Sequence, residues 1–233
     1  MKKLILFLFA VILMLPVIFL VRKEDKPKLI TMTTPKPEIK IALGGNGFAT
    51  IDWGDGSPKE TKTFDEHDGE LVFEYKYESD TLRTITITGD NITRLNCNDN
   101  QLQTLNVSGL AKLEILQCNG NELTSLIMSG LSRLRKLHCY NNQLTSLNLS
   151  GLSKLEYLAC RENQLTSLNM NRLVSLDFLD CSVNKFTAAT LDSLFASLPK
   201  VYSGTIDISS NGSEGTDESN KSIAVDKGWT VYD

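Results

Sequence analysis

Five cysteines, two histidines and a scatter of carboxylates are the side chains of this sequence that offer chemistry. The cysteines are Cys97, Cys118, Cys139, Cys160 and Cys181, spaced 21 residues apart every time. A thiol can close a disulfide, ligate zinc or act as a nucleophile, and the spacing bears on all three. Disulfides fit poorly, because the count is odd. In-register parallel strands also hold equivalent Cβ atoms about 4.8 Å apart, against the roughly 3.8 Å a disulfide prefers. Zinc needs ligands that converge tetrahedrally, and a straight ladder does not converge. A thiolate–imidazolium pair would need His138 and Cys139 on one side, yet adjacent strand residues face opposite sides. The thiols are therefore expected to be buried, free and inert.

No other catalytic constellation emerges. The chain has no G-x-S-x-G, P-loop, G-x-G-x-x-G or H-E-x-x-H. The carboxylates fall mostly in turns, without the paired placement of a hydrolase. Asp52 and Asp55 lie in "IDWGDGS", but the full set of oxygen ligands that an EF-hand loop supplies to calcium is missing. Net charge is −4 with lysine and arginine dispersed, so there is no electrostatic footprint for nucleic acid. The sequence points to no enzyme, cofactor or metal.

The elements that place the cysteines are repeats. Units begin at Ile92, Leu113, Leu134, Leu155 and Leu176, each with the pattern L-x-x-L-x-C-x-x-N-x-L. Ile92 and Phe186 are conservative departures from it. The asparagines are Asn100, Asn121, Asn142, Asn163 and Asn184. In "YLACR", Leu158 and Cys160 are two apart, so on a strand both point one way while Tyr157, Ala159 and Arg161 point the other. One such unit cannot bury its own leucines, but stacked on its neighbours it can. Leu155, Leu158, Leu165, Leu168, Met170 and Leu173 are then interior. Cysteine, small and tolerant of full burial, forms an interior column, and the asparagine amides satisfy backbone groups where the chain leaves the strand.

These motifs resemble the leucine-rich repeat family, specifically its 21-residue class with cysteine in the strand (IRREKO-type), over residues 92–186. The resemblance implies a solenoid with a parallel sheet of about seven strands, one short strand per turn, and an asparagine ladder. Before it, residues 29–91 alternate in strand fashion in "EIKIAL", "FATIDW", "LVFEYKY" and "RTITITG". "IDWGDGS" with "YKYESDTLRTITITG" resembles the signature of PKD-like, immunoglobulin-type domains, implying a small β-sandwich cap. After it, residues 187–233 place Leu191, Leu194, Phe195 and Leu198 at helical spacing, then strand patterns in "GTIDISSN" and "WTVYD" around a short helix. This end resembles the C-terminal caps of bacterial cell-surface leucine-rich repeat proteins. The expected fold is mostly β, with short helices only in the C-terminal cap.

Residues 1–28 stand apart. A basic start precedes an uncharged run from Leu4 to Val21, then "RKEDKPK". The pattern reads as an export signal, either cleaved or kept as a signal-anchor through residues 4–21.

What remains for function is the outward face of the repeat strands, expected to be concave. Its columns are Arg94, Ile115, Lys136, Tyr157, Phe178; Asn96, Gln117, His138, Ala159, Asp180; and Asn98, Asn119, Tyr140, Arg161, Ser182. Interior positions repeat while these vary. Lys136, His138, Tyr140, Tyr157, Arg161, Phe178 and Asp180 gather in the later repeats and include the types enriched at interface hot spots. Ile115, Tyr157 and Phe178 are expected to form an apolar strip. The implied partner is an unidentified protein or glycan, and the competing reading is a structural spacer.

Overall fold

Period-two alternation decides the N-terminal part. The computed structural model describes residues 29–65, 67, 69–212 and 218–233, so the apolar run at 4–21 lies outside the described residues. The first strands are Leu29–Thr34 (β1), Glu38–Gly45 (β2), Gly47–Asp52 (β3), Glu60–Phe64 (β4), Leu71–Lys76 (β5) and Arg83–Gly89 (β6). Alternate residues such as Ile39, Ile41 and Leu43, or Ile85 and Ile87, are buried. The repeats contribute Ile92–Asn96 (β7), Thr104–Asn106 (β8), Ile115–Gln117 (β9), Lys136–His138 (β10), Tyr157–Ala159 (β11) and Phe178–Asp180 (β12). The chain ends with Ala188–Ser197 (α1), Gly204–Asp207 (β13), Ser222–Val225 (α2) and Trp229–Tyr232 (β14).

The molecule is mostly β, but its sheets are not those of a purely parallel stack. The larger has nine strands in the order β14-β13-β12-β11-β10-β9-β7-β2-β5. From β7 to β14 every pairing is parallel, and successive repeats pair residue to residue at the 21-residue interval, Lys136 with Tyr157 and Tyr157 with Phe178. Then β2 joins β7 antiparallel, and β5 joins β2 antiparallel. The expectation of a purely parallel sheet beside a small sandwich is corrected here. The open edge of β7 carries unpaired backbone groups, and β2 satisfies them directly. The smaller sheet, β4-β3-β6-β1-β8, makes the same join on the other side, since β8 of the first repeat pairs antiparallel with β1. That turn therefore holds two strands rather than the single one expected, and a bridge between Asn106 and Ile127 extends the second side into the next turn. One continuous core runs from Ile30 to Trp229.

Asparagine holds the turns together. Asn142 donates from Nδ2 to the carbonyls of Cys118 (3.0 Å), Cys139 (3.1 Å) and Tyr140 (3.2 Å), and its Oδ1 accepts the Leu123 N–H at 3.0 Å. Asn163 and Asn184 repeat this geometry, and Asn211 continues the column past the last regular repeat. At the other end the column locks onto the first strands: Asn100 donates to the Lys40 carbonyl and accepts the Lys40 N–H. Removing the Asn142 amide orphans the buried Leu123 N–H, at roughly 1–3 kcal/mol, and takes one of two donors from each of three carbonyls, at about 0.5–1.5 kcal/mol apiece. Asn142→Ala is therefore expected to cost about 3–5 kcal/mol in urea unfolding. Asn148→Ala, an exposed residue whose Oδ1 accepts only the Ser150 N–H, is expected to cost under about 1 kcal/mol. Equal losses would mean that the ladder does not bind the turns.

The C-terminal end closes on α1. Thr187 and Thr190 form a reciprocal capping box at its start. At its other end the Lys227 ammonium donates to the carbonyls of Phe195, Ala196 and Leu198, where an α-helix leaves acceptors unmet. Trp229 donates from Nε1 to the Pro199 carbonyl at 2.8 Å.

Candidate recognition face

The outward residues of β7 and β9–β14 share one open face of the nine-stranded sheet. Their chemistry is set by which side chains the register places side by side. His138, Tyr157 and Phe178 come together as a stack along the sheet. The Tyr157 and Phe178 rings lie 4.3 Å apart and 1° from parallel, and His138 lies 4.8 Å from Tyr157 at 30°. Beside the stack, the Arg161 guanidinium sits over the Tyr140 ring at 4.8 Å and its Nε is 3.7 Å from Asp180 Oδ2. Asp180 Oδ1 accepts the Ser182 hydroxyl at 2.7 Å. Six of the seven expected residues thus form two adjoining groups. The seventh, Lys136, is exposed at the end of the stack, opposite Tyr157 in the register.

Two expectations about this face change. Ile115 is not part of the apolar strip, because Lys136 stands between it and Tyr157. His138, read from the sequence as solvent-facing, is half-buried and takes the place of Ile115 in the cluster. Burial, and then the charge of Lys136, lowers the His138 pKa below the ordinary imidazole value, so the ring is neutral near pH 7. Burial likewise raises the Tyr157 phenol. Within the columns, Asn119, Ala159 and Ser182 are buried, since short side chains sink between longer neighbours. The columns also continue into β13 and β14 through Thr205, Asp207, Thr230 and Tyr232. The period-two pattern of "GTID" and "WTVY" carried that signal.

The residues weighed for chemistry fall elsewhere. All five cysteines are free and fully buried, with Cys139 on the opposite side of its strand from His138. Asp52 accepts the Gly54 N–H and pairs with Lys59 at 3.2 Å, while Asp55 accepts the Ser57 N–H and the Tyr75 hydroxyl. Both carboxylates shape the turn after Trp53, a buried ring stacked on Tyr75 at 4.7 Å. Gly54 has φ +78°, and a Cβ there would lie 2.2 Å from the Thr84 carbonyl oxygen, so the turn requires glycine. Among the described residues no three His, Cys, Asp or Glu side chains gather as metal ligands.

No family model and no curated protein matches the chain. Among solved structures it is similar to the functional domain of InlJ from Listeria monocytogenes, which includes a cysteine ladder. The identity is 32% and the TM-score 0.43, over 50% of this chain and 25% of that one. The matched part is thus a quarter of that chain's length.

Proposed function

We propose that the chain is a non-enzymatic recognition module, carried outside the cytoplasm by its N-terminal segment, which binds a protein on the open face of the nine-stranded sheet. The observation that carries this reading is the joined cluster of His138, Tyr157 and Phe178 with Tyr140, Arg161 and Asp180. Scaffold needs explain none of it, because all six side chains lie on the side away from the core. A protein is favoured over a glycan by the ring geometry. A sugar platform needs an open ring face, but Tyr157 has Phe178 against one face and His138 against the other. The cluster offers ring edges, a guanidinium and a carboxylate, which suit the mixed apolar and polar groups of a protein surface.

The test is a screen of surface proteins and glycans, followed by face variants against any hit. Tyr157→Ala, Phe178→Ala and Arg161→Ala are each expected to weaken binding by about 1–3 kcal/mol. Phe178→Ala and Arg161→Ala should each cost the fold no more than about 1.5 kcal/mol, and Tyr157→Ala, which loses two stacked neighbours, no more than about 3 kcal/mol. Ser146→Ala, exposed on the far side of the coil, should change neither. A second reading, a structural spacer, draws on the way Arg161 and Asp180 already satisfy each other. It gains if hits bind undiminished to all three face variants.

A further inference from the structure

A hollow of about 350 Å³ opens on the outward face where β2 meets β7, within the size range of small-ligand pockets. β9 separates it from the aromatic cluster, which begins on β10. Ala42 is its floor, set opposite Asn96 by the register, and so small a side chain leaves room between Lys40, Asn96 and Asn98. Asn100 fixes this corner by bonding both the N–H and the carbonyl of Lys40.

Two amides give the hollow its chemistry. Asn96 Oδ1 accepts the Asn98 N–H at 3.1 Å, and Asn98 Oδ1 accepts the Asn119 N–H at 2.9 Å. A backbone N–H can bond only the amide oxygen, so each side chain's orientation is fixed and its NH2 is the end left over. Neither Nδ2 has a partner among the described residues. Asn121, Asn142, Asn163 and Asn184, by contrast, each spend that group on three carbonyls. The cations nearby are loosely held. Lys36 gives one N–H to the Asp99 carbonyl and keeps two. Lys40 pairs with Glu74 at 2.7 Å, but both side chains are about two-thirds exposed, so the pair is weak. Arg94, next along β7, lays its stem over Gly44 and has no ion pair among the described residues. The Asp99 carboxylate is turned away from the hollow, its Oδ1 lying over Gly120 of the following turn.

We propose that this hollow binds a sugar acid, a polyhydroxylated ring that carries a carboxylate. The groups left free around it are donors, so the ligand is acceptor-rich and negatively charged. Its carboxylate takes the ammonium groups, and its ring oxygens take the two amide NH2 groups. Among the described residues Ala42 is the one apolar side chain lining the hollow, so an aliphatic or aromatic acid gains little there. The hollow also has space for a ring beyond the carboxylate itself. Open to solvent and built on exposed charges, it binds weakly and less well as salt rises.

The experiment is saturation-transfer NMR on the full chain, its apolar N-terminal segment held in a micelle of a detergent without a sugar headgroup. D-glucuronate is the probe, with methyl glucoside, acetate and inorganic phosphate as comparisons. Glucuronate is expected to bind about tenfold or more tighter than each of the three, since none of them offers both ring and carboxylate. Asn96→Asp keeps the oxygen that holds the Asn98 N–H, as Asp180 does for Ser182 at the equivalent place, but exchanges the NH2 for negative charge. It should weaken glucuronate about tenfold or more, and Lys40→Gln about threefold. Asn148→Asp, the same change on an exposed turn elsewhere, should alter nothing. Thermal melts check the fold, and if Asn96→Asp melts well below the parent, Lys40→Gln decides alone. No transfer to glucuronate overturns the proposal, as does equal or tighter binding of a comparison compound, or undiminished binding in a folded Asn96→Asp. Tyr157→Ala should leave glucuronate untouched, so failure here and failure of the protein-recognition reading are told apart.

Discussion

Raising the pH from 8 to 10 under reducing conditions should remove a large share of this protein's stability, and the cysteine column should be the cause. Burial pushes Cys97 and Cys139 up to about 12, and raises Cys118, Cys160 and Cys181 as well. In the unfolded chain the same thiols ionise near 9. The folded-state value is the higher one, so the folded form keeps protons that the unfolded form gives up. The stability is fully present below pH 9 and is lost as the pH rises from there toward 12. At pH 10 each thiol costs about 1 kcal/mol, and the five together several, a large share of the stability of an ordinary domain. The Tyr77 phenol, raised chiefly by burial, works in the same direction only above pH 10, so the window from 8 to 10 isolates the thiols. Urea unfolding at pH 7, 8, 9 and 10 reads the effect. Replacing Cys139 and Cys160 together by alanine should leave three-fifths of the loss, and Cys139→Ala alone four-fifths. A loss under about 2 kcal/mol by pH 10, or one unchanged in these variants, would show that the thiols are already ionised or exposed in the native protein.

The same column shows what the sequence made readable. A strict 21-residue period fixes which side chains are interior, because a shift of one residue would turn Leu158 and Cys160 outward and Tyr157 and Ala159 inward. Burial follows that frame at Leu155, Leu158, Cys160, Leu165, Met170 and Leu173. The membership of the face cluster was legible for the same reason. Its internal geometry was not. Whether Tyr157 stacks on Phe178 and His138 depends on rotamers, which period-two reasoning does not reach. The joining of the first strands to the repeats was also hidden, because pairing between β2 and β7 depends on edges that meet only in three dimensions. A further column went unread. Asp99, Gly120, Asn141, Glu162, Val183 and Ser210 all have left-handed backbone where the chain leaves the sheet. Glycine, asparagine and aspartate at three of these places carried the signal, but glutamate and valine masked it. Valine there adopts a conformation that β-branched residues rarely take.

Deleting residues 134–154 should leave a shorter protein that still folds, while deleting residues 134–143 should abolish the fold. The first deletion joins Arg133 to Leu155, which stands in its turn where Leu134 stood. Tyr157, Leu158 and Ala159 can then take the place of β10 against Ile115, Leu116 and Gln117. The Leu123 N–H, which bonds Asn142 in the parent, finds Asn163 at the same position. Every ladder bond is remade by an equivalent group, because each turn touches only its neighbours. The shorter deletion removes Leu134, Leu137, Cys139 and Asn142 but keeps Leu144 and Leu149, so half a turn remains with no strand to pair. It strands the Leu123 N–H, takes the Asn142 donor from the Cys118 carbonyl, and interposes unmatched chain between β9 and β11. Losing a strand of the sheet and the amide above it costs more than the total stability available to a domain of this size. Circular dichroism and urea unfolding decide between the outcomes. The 21-residue deletion should give a single cooperative transition with an m-value about a tenth below the parent's, in proportion to the surface removed. The ten-residue deletion should give none. If both chains fold equally well, the turns are not held in a fixed frame by their asparagines. If neither folds, the third turn has contacts beyond its neighbours, and the nine-stranded sheet behaves as one indivisible unit rather than as a sum of repeats.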